Sequence, residues 1–394
     1  MYARMSLAKS RPARAGRPAG TGRITRTLAT VATGAALTAA ALVAAPAAGA
    51  VEAQHGGGSV VFAQSDNTGA NTVVAYERAD DGTLTQKGVY STGGKGGMLA
   101  GTVADHLASQ GSLAYDRHGH LLYAVNAGSD TVTVFAVHGT RLRRVQEISS
   151  GGSFPVGVTF HGDRVYVANT LGGGSVQGFA RVGERLVKVA AWHRDLGLDK
   201  GTSAVGQISF TPDGSKLVVT TKAAGQSIDV FPVGRIGGPS ARPVVTSTPG
   251  AVPFGFAFDS AGRVQVTEAG TNSVGTFVVG HDGTLTAQGT VPTGQTATCW
   301  AVTAGDHLYV SNAGSGTLSG YRVGHGGGLT ALGDTATHPG TVDAAASSDG
   351  RYLYVQTGVQ GTVDAFRVGP EGSLTAIGSV VVPGAVGGEG IAAG

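Results

Sequence analysis

The sequence predicts an all-β protein, a seven-bladed β-propeller closed by pairing its N- and C-terminal segments within one blade. Three observations predict it: one phrase recurring along residues 59–394, hydrophobic alternation of period two within each copy, and a glycine in almost every turn. The clearest copies are LLYAVNAGSDTVTVF from Leu121, RVYVANTLGGGSVQGF from Arg164, HLYVSNAGSGTLSGY from His307 and YLYVQTGVQGTVDAF from Tyr352. Weaker copies start at Lys216 and Arg263. Aligned on Asn126, Asn169, Thr221, Glu268, Asn312 and Thr357, they are spaced by 43, 52, 47, 44 and 45 residues, the length a four-stranded blade needs. Helical solenoids have similar periods but are excluded by the β-branched enrichment and the two-residue alternation.

The chain opens on a leader. Residues 1–50 carry Arg4, Lys9, Arg11, Arg14, Arg17, Arg23 and Arg26 and no acid, followed by an apolar stretch from Leu28 to Ala45 and the small residues Ala48 and Ala50. That order is the order of a secretory signal peptide cleaved after Ala50, which predicts a secreted protein with no membrane span after cleavage. Residues 51–58 read as a short flexible N-terminus and 59–394 as the propeller. The basic character belongs to the leader, because losing these seven charges turns the net charge from +3 to −4. Nucleic acid is therefore not an expected partner. Cys299 is the only cysteine, so the exported domain has no internal disulfide and depends on core burial and ring closure.

Six blades start on a short inner strand: SLAYD from Ser112, VGVTF from Val156, GQISF from Gly206, FGFAF from Phe254, CWAVT from Cys299 and DAAAS from Asp343. The first blade lacks one, whereas the chain ends on GIAAG from Gly390, an inner strand with no blade to follow. Moving this tail into the first blade removes two open sheet edges, and seven copies close as seven blades. Tight turns such as TPDGS at Thr211 and SSDGR at Ser347 then share one face. The opposite face receives the long loops, where function usually sits. Two loops stand out there: residues 92–111, with Lys95, Asp105, His106 and Gln110, and residues 192–205, with Trp192, His193, Arg194, Asp195 and Lys200.

YVAN at Tyr166, YVSN at Tyr309, the turn TPDG at Thr211 and the repeated DGTLT, GGGLT and EGSLT at Asp282, Gly327 and Glu371 resemble the lactonase family of seven-bladed propellers and YVTN-type repeat proteins. The resemblance covers nearly all of residues 59–394. It implies a carboxylic ester hydrolase or isomerase acting on a small lactone or cyclic carboxylate, with a base to activate water and donors to hold the oxyanion. It also implies a His and an Arg ahead of the FxPDG-type turn. The matching positions here are Val205, Gly206 and Gln207, and Gln207 can hydrogen-bond a substrate but cannot act as a base.

Other residues on this face are the candidates: His106 and Glu268 as catalytic groups, and Gln110, Gln207, Lys222, Arg194 and Asp343 for substrate. Each has a plainer reading. Glu268 replaces the Asn of the repeat and serves equally as a turn residue; Asn126, Asn169 and Asn312 read as turn residues, and Cys299 as a small buried apolar side chain. His118 and His120 have metal-like spacing but fall among the tight turns. No cofactor motif is present. A divalent cation held by Glu268, Asp343 and Glu389 is a third reading that the spacing does not place. The absence of GxSxG, Walker, HExxH and paired-cysteine motifs excludes serine α/β-hydrolases, nucleotide hydrolases and zincins. The competing functional class is a non-catalytic propeller, a monomer that binds an extracellular glycan, protein or small ligand.

Overall fold

Runs such as VVFAQ, LLYAVN, KLVVTT and YLYVQT are apolar on both alternating faces, and each forms a second strand buried along its whole length. A strand between two packed sheets loses water from both faces, so polar alternation survives only farther out, as in the exposed outer strand Leu285–Pro292. A computed structural model of the chain describes residues 59–201 and 204–394. The leader and residues 51–58 lie outside the described residues. Among those described, no helix is long and apolar enough to cross a membrane.

Seven four-stranded antiparallel sheets follow in chain order, blade 1 at residues 60–91, then 113–149, 153–195, 205–247, 253–292, 298–336 and 341–381. Blade 1 takes its inner strand, Ile391–Ala393, from the end of the chain. That strand pairs antiparallel with Val60–Gln64, placing Val61 opposite Ala393, Phe62 opposite Ala392 and Ala63 opposite Ile391. The flanking amides of Gln64 and Gly394 donate to Gly390 and Val60, both at 2.8 Å. No backbone edge is left unpaired at this seam.

Both lettered positions of the repeat do identifiable work. The tyrosine fastens one blade to the turn of the next: Tyr309 donates its phenol to the Gly372 carbonyl at 2.8 Å, Tyr354 to Gly82 at 2.9 Å, and Tyr166 to Gly237. Tyr354 thereby staples blade 7 to blade 1 across the seam. The residue three farther on is a cross-strand clasp rather than a simple local turn. It bonds the hydroxyl that opens the third strand in every blade: Ser65 with Thr72 (3.0 Å), Asn126 with Thr131 (3.0 Å), Asn169 with Ser175 (3.3 Å), Thr221 with Ser227 (2.8 Å), Glu268 with Ser273 (2.6 Å), Asn312 with Thr317 (3.2 Å) and Thr357 with Thr362 (2.5 Å). Between blades lie the apolar layers. Val61, Tyr76, Tyr354 and Ile391 pack in the layer between blades 7 and 1, and Phe62, Leu122, Phe135 and Ala392 in the next.

Candidate functional site

Residues 92–111 form the longest described connection between an outer strand and the next inner one, and the loop runs across the central channel. It is first pinned at its start, where the Gly96 amide donates to Asn67 at 2.9 Å and Gly128 donates to the Lys95 carbonyl at 3.0 Å. It then passes over blade 7, where Ala104 lies against Gly358; any side chain on Gly358 would strike the Ala104 carbonyl. The His106 amide donates to Gly387 at 2.8 Å. Finally Ser109–Gly111 enters the ring. Ser109 Oγ reaches the Val156 carbonyl in blade 3 (2.9 Å), the Gln110 amide reaches Gly206 in blade 4 (2.9 Å), and the Gln110 side chain brackets the backbone of Ala301 in blade 6 (2.7 and 3.0 Å). A segment held by inner strands on opposite sides of the ring closes the channel at this end.

Charged groups collect around this segment. Asp105 is buried, and its two oxygens accept the amides of Leu107 and Ser109, both at 2.8 Å. Lys222, also buried, donates to the Ala108 carbonyl and lies 4.5 Å from the centre of the Phe254 ring. Trp300 stacks edge-on to Phe254 and donates Nε1 to the Ser109 carbonyl at 2.6 Å. On the other side Glu389, fully buried, accepts the Gly111 amide at 2.8 Å, while its own amide donates to Asp66 at 2.8 Å. Asp343, also buried, lies near enough for its charge to raise the pKa of Glu389. Glu389 Oε2 is buried without a hydrogen-bond partner among the described residues.

Loss of water dominates the electrostatics. Burial pushes Asp66 and Asp343 up to about 7 and Asp105 to about 6, and raises Glu389 well above its ordinary range, with the neighbouring carboxylates adding to the rise in Glu389. Burial also brings Lys222 down to about 8, against the opposing pull of Asp105. The Cys299 thiol is pushed up to about 12 and stays protonated. His106 is half-buried, and burial lowers its pKa, so its imidazole is neutral at neutral pH.

The sequence candidates are thus divided by the fold. Lys222 and Gln110 meet at the segment Ala108–Gly111, Asp343 is buried near Glu389, and the His106 amide is held by Gly387. Both atoms of the Gln110 amide are committed to Ala301. Gln207 lies alongside Gln110, and its Oε1 accepts the Phe256 amide at 2.6 Å. Glu268 belongs to the clasp with Ser273. Arg194 stands apart: residues 192–195 do not form a channel loop but continue the outer strand of blade 3, Arg185–Asp195, and Arg194 Nε donates to Ser240 at 2.7 Å. The strand wins there because Val176 and Gln177 offer it continued pairing. Among the described residues no three His, Cys, Asp or Glu side chains converge as metal ligands, so Glu268, Asp343 and Glu389 do not assemble the divalent-cation set. Asp66 and Trp300 are the additions that sequence reasoning missed as site residues. Asp66 sits in the polar hairpin SDNTGAN with φ 49°, and the charged residue among its Ser and Asn neighbours was the available signal.

A family model described as "Lactonase, 7-bladed beta-propeller" matches residues 67–185. No curated protein sequence matches the chain. Among solved structures, the periplasmic gluconolactonase of Pseudomonas aeruginosa is similar at 18% identity and TM-score 0.69, over 85% of this chain and 98% of that one. A protein named as a candidate 6-phosphogluconolactonase from Bacteroides fragilis is similar at 18% identity and TM-score 0.67, over 86% and 99%. Virginiamycin B lyase from Staphylococcus aureus is similar at 13% identity and TM-score 0.51, over 71% and 86%. At these identities the likeness is one of fold, and it extends to enzymes of different chemistry. The resemblance carried by the repeats is found again independently: this chain is a seven-bladed β-propeller, and its residues 67–185 match the lactonase propeller model.

Proposed function

We propose that the chain is an exported lactonase-like hydrolase that opens a small lactone or cyclic carboxylate at the channel mouth. One observation carries the reading: an ammonium, an indole N–H and a carboxyl with a pKa near 6, from Lys222, Trp300 and Asp105, converge on one spot. In this reading Lys222 Nζ and Trp300 Nε1 hold the carbonyl oxygen as it gains charge. Asp105, ionised above pH 6, takes the proton of the attacking water and returns it to the ring oxygen as the C–O bond breaks, releasing a hydroxy acid. His106, neutral and at the rim, is the alternative base. Export is supported by the composition of residues 1–50 and by the periplasmic location named for the Pseudomonas protein.

Acid release from a panel of five- and six-membered lactones, followed in a pH-stat, tests this. Asp105→Asn and Lys222→Met are expected to lower the rate at least about 100-fold, in line with loss of a general base or an oxyanion donor, and His106→Gln measures the rim imidazole. A panel with no turnover by the intact protein removes the hydrolase reading. The second reading, a propeller that binds the same ligand without chemistry, is favoured by one feature: Gln207 stands where the resemblance implies a His and an Arg. It predicts thermal stabilisation by lactones with no acid released.

A further inference from the structure

We propose that the channel mouth is a carbonyl-binding site that the chain keeps occupied with its own peptide, Ala108–Gly111, and that a small lactone binds by displacing that peptide. The inference rests on the preceding assignment of the ligand-binding end, and deepens it by naming what holds the site at rest.

The clasp position offers an internal comparison. The residue that follows it is Ala127, Thr170, Ala269, Ala313 and Gly358 in blades 2, 3, 5, 6 and 7, all small. Blades 1 and 4 instead place Asp66 and Lys222 there, and both are buried. Blade architecture therefore does not need a charge at this position. An ammonium buried against Phe254 loses most of its hydration, a large cost unless a strong acceptor replaces the water. The acceptor found there is the Ala108 carbonyl, with Asp105 nearby.

The next carbonyl, of Ser109, accepts Trp300 Nε1 at 2.6 Å, so two donors from blades 4 and 6 take two consecutive peptide oxygens. The recognised groups belong to the backbone, and the donors would serve any compact carbonyl compound equally. A lactone presents a carbonyl oxygen beside a ring oxygen and an apolar ring face, which suits this pair of donors flanked by Phe254 and Trp300.

The occupying peptide is strained where it is gripped. Ala108 has φ 49°, in the left-handed region that disfavours a side chain. Besides the Trp300 bond, its attachment to blade 6 rests on the Gln110 side chain, which makes two bonds to Ala301. Upstream the loop is rich in glycine, at Gly93, Gly94, Gly96 and Gly97, and Met98 and Val103 are exposed. A segment strained at its centre and glycine-rich at its root is suited to leave and return.

The chain has two tryptophans, so Trp192→Phe leaves Trp300 as the sole indole reporter of the site. Titration of this variant with δ-valerolactone is expected to change Trp300 emission as the bond to Ser109 is exchanged. Two further substitutions in that background act in opposite directions. Gln110→Ala frees the peptide from Ala301 and is expected to lower the lactone Kd about 10-fold, the equivalent of one or two hydrogen bonds. Ala108→Gly relieves the left-handed strain, steadies the peptide in place and is expected to raise Kd about threefold to fivefold. General damage to the fold cannot produce opposite signs. An unresponsive Trp300, or Kd values that move together or not at all, overturns the proposal. Opposite shifts without acid release support it while removing hydrolysis, and acid release unaffected by both substitutions removes it while leaving hydrolysis standing.

Discussion

Glu389 accepts the Gly111 amide at 2.8 Å, so the residue that leads into the closing strand of the ring is tied to the end of the peptide that fills its channel. Closure of the propeller and closure of its channel are thereby one structure. Around this tie Asp343, Asp66 and Asp105 add negative charge to that of Glu389, and Lys222 opposes it with a positive one.

Stability should therefore depend on pH in a definite direction. A carboxyl with a raised folded pKa keeps its proton in the folded chain after the unfolded chain has lost it, so folding becomes less favourable as pH rises. For Asp66, Asp343 and Asp105 this loss begins near 3.8 and is complete at about 6 to 7. Asp213 and Asp349, lowered to about 2, act oppositely and lose their contribution only below 3.8. Lys222, lowered to about 8, gives back stability as pH rises from there to 10.5. The melting temperature is expected to peak near pH 4, fall toward pH 7 to 8 and recover in part above it. Glu389→Gln should flatten the fall and raise stability at pH 8; calorimetry showing an unchanged slope would remove Glu389 from the linkage.

Removing residues 387–394 takes away the inner strand of blade 1 and the buried side chains of Ile391 and Ala392. The inner edge of Val60–Gln64 opens and an interblade layer is exposed, so the shortened protein is expected to aggregate on expression. Size-exclusion chromatography and circular dichroism check this, and a soluble product that melts like the intact chain counts against closure by the C-terminal strand.

Two tyrosines at equivalent repeat positions should respond differently to loss of the hydroxyl. Tyr354 donates to Gly82 at 2.9 Å, whereas the buried Tyr123 hydroxyl has no partner. Tyr354→Phe is expected to cost about 1–2 kcal/mol in urea denaturation by leaving a buried carbonyl unpaired, and Tyr123→Phe to be neutral or stabilising. Equal costs would show that the staple contributes nothing beyond packing.

Gly358→Ala places a methyl group on the Ala104 carbonyl, and the loop must lift because the glycine is part of a blade. The expected result is a folded propeller with normal circular dichroism in which trypsin cleaves after the exposed Lys95 about 10-fold faster, as local opening becomes easier. An unchanged cleavage rate would mean that the loop is held without this contact.

The sequence by itself determined the blades. Period-two alternation, turn glycines and a 43–52-residue repeat are local properties, and they located the inner strands, including the tail from Gly390 that belongs to the first blade. It also exposed the recurring Tyr and Asn of the clearest repeats, although the Asn positions read as turn residues and proved to be clasps between strands. The channel mouth was decided only by the tertiary structure. Gln110 meets Ala301 across 191 positions of chain, and Glu389 meets Gly111 across 278. Arg194 was drawn into a strand instead. Ring closure is the physical reason: it brings the inner strands of all seven blades to one axis, and which charges then face one another depends on blade order around that axis rather than on any spacing along the chain.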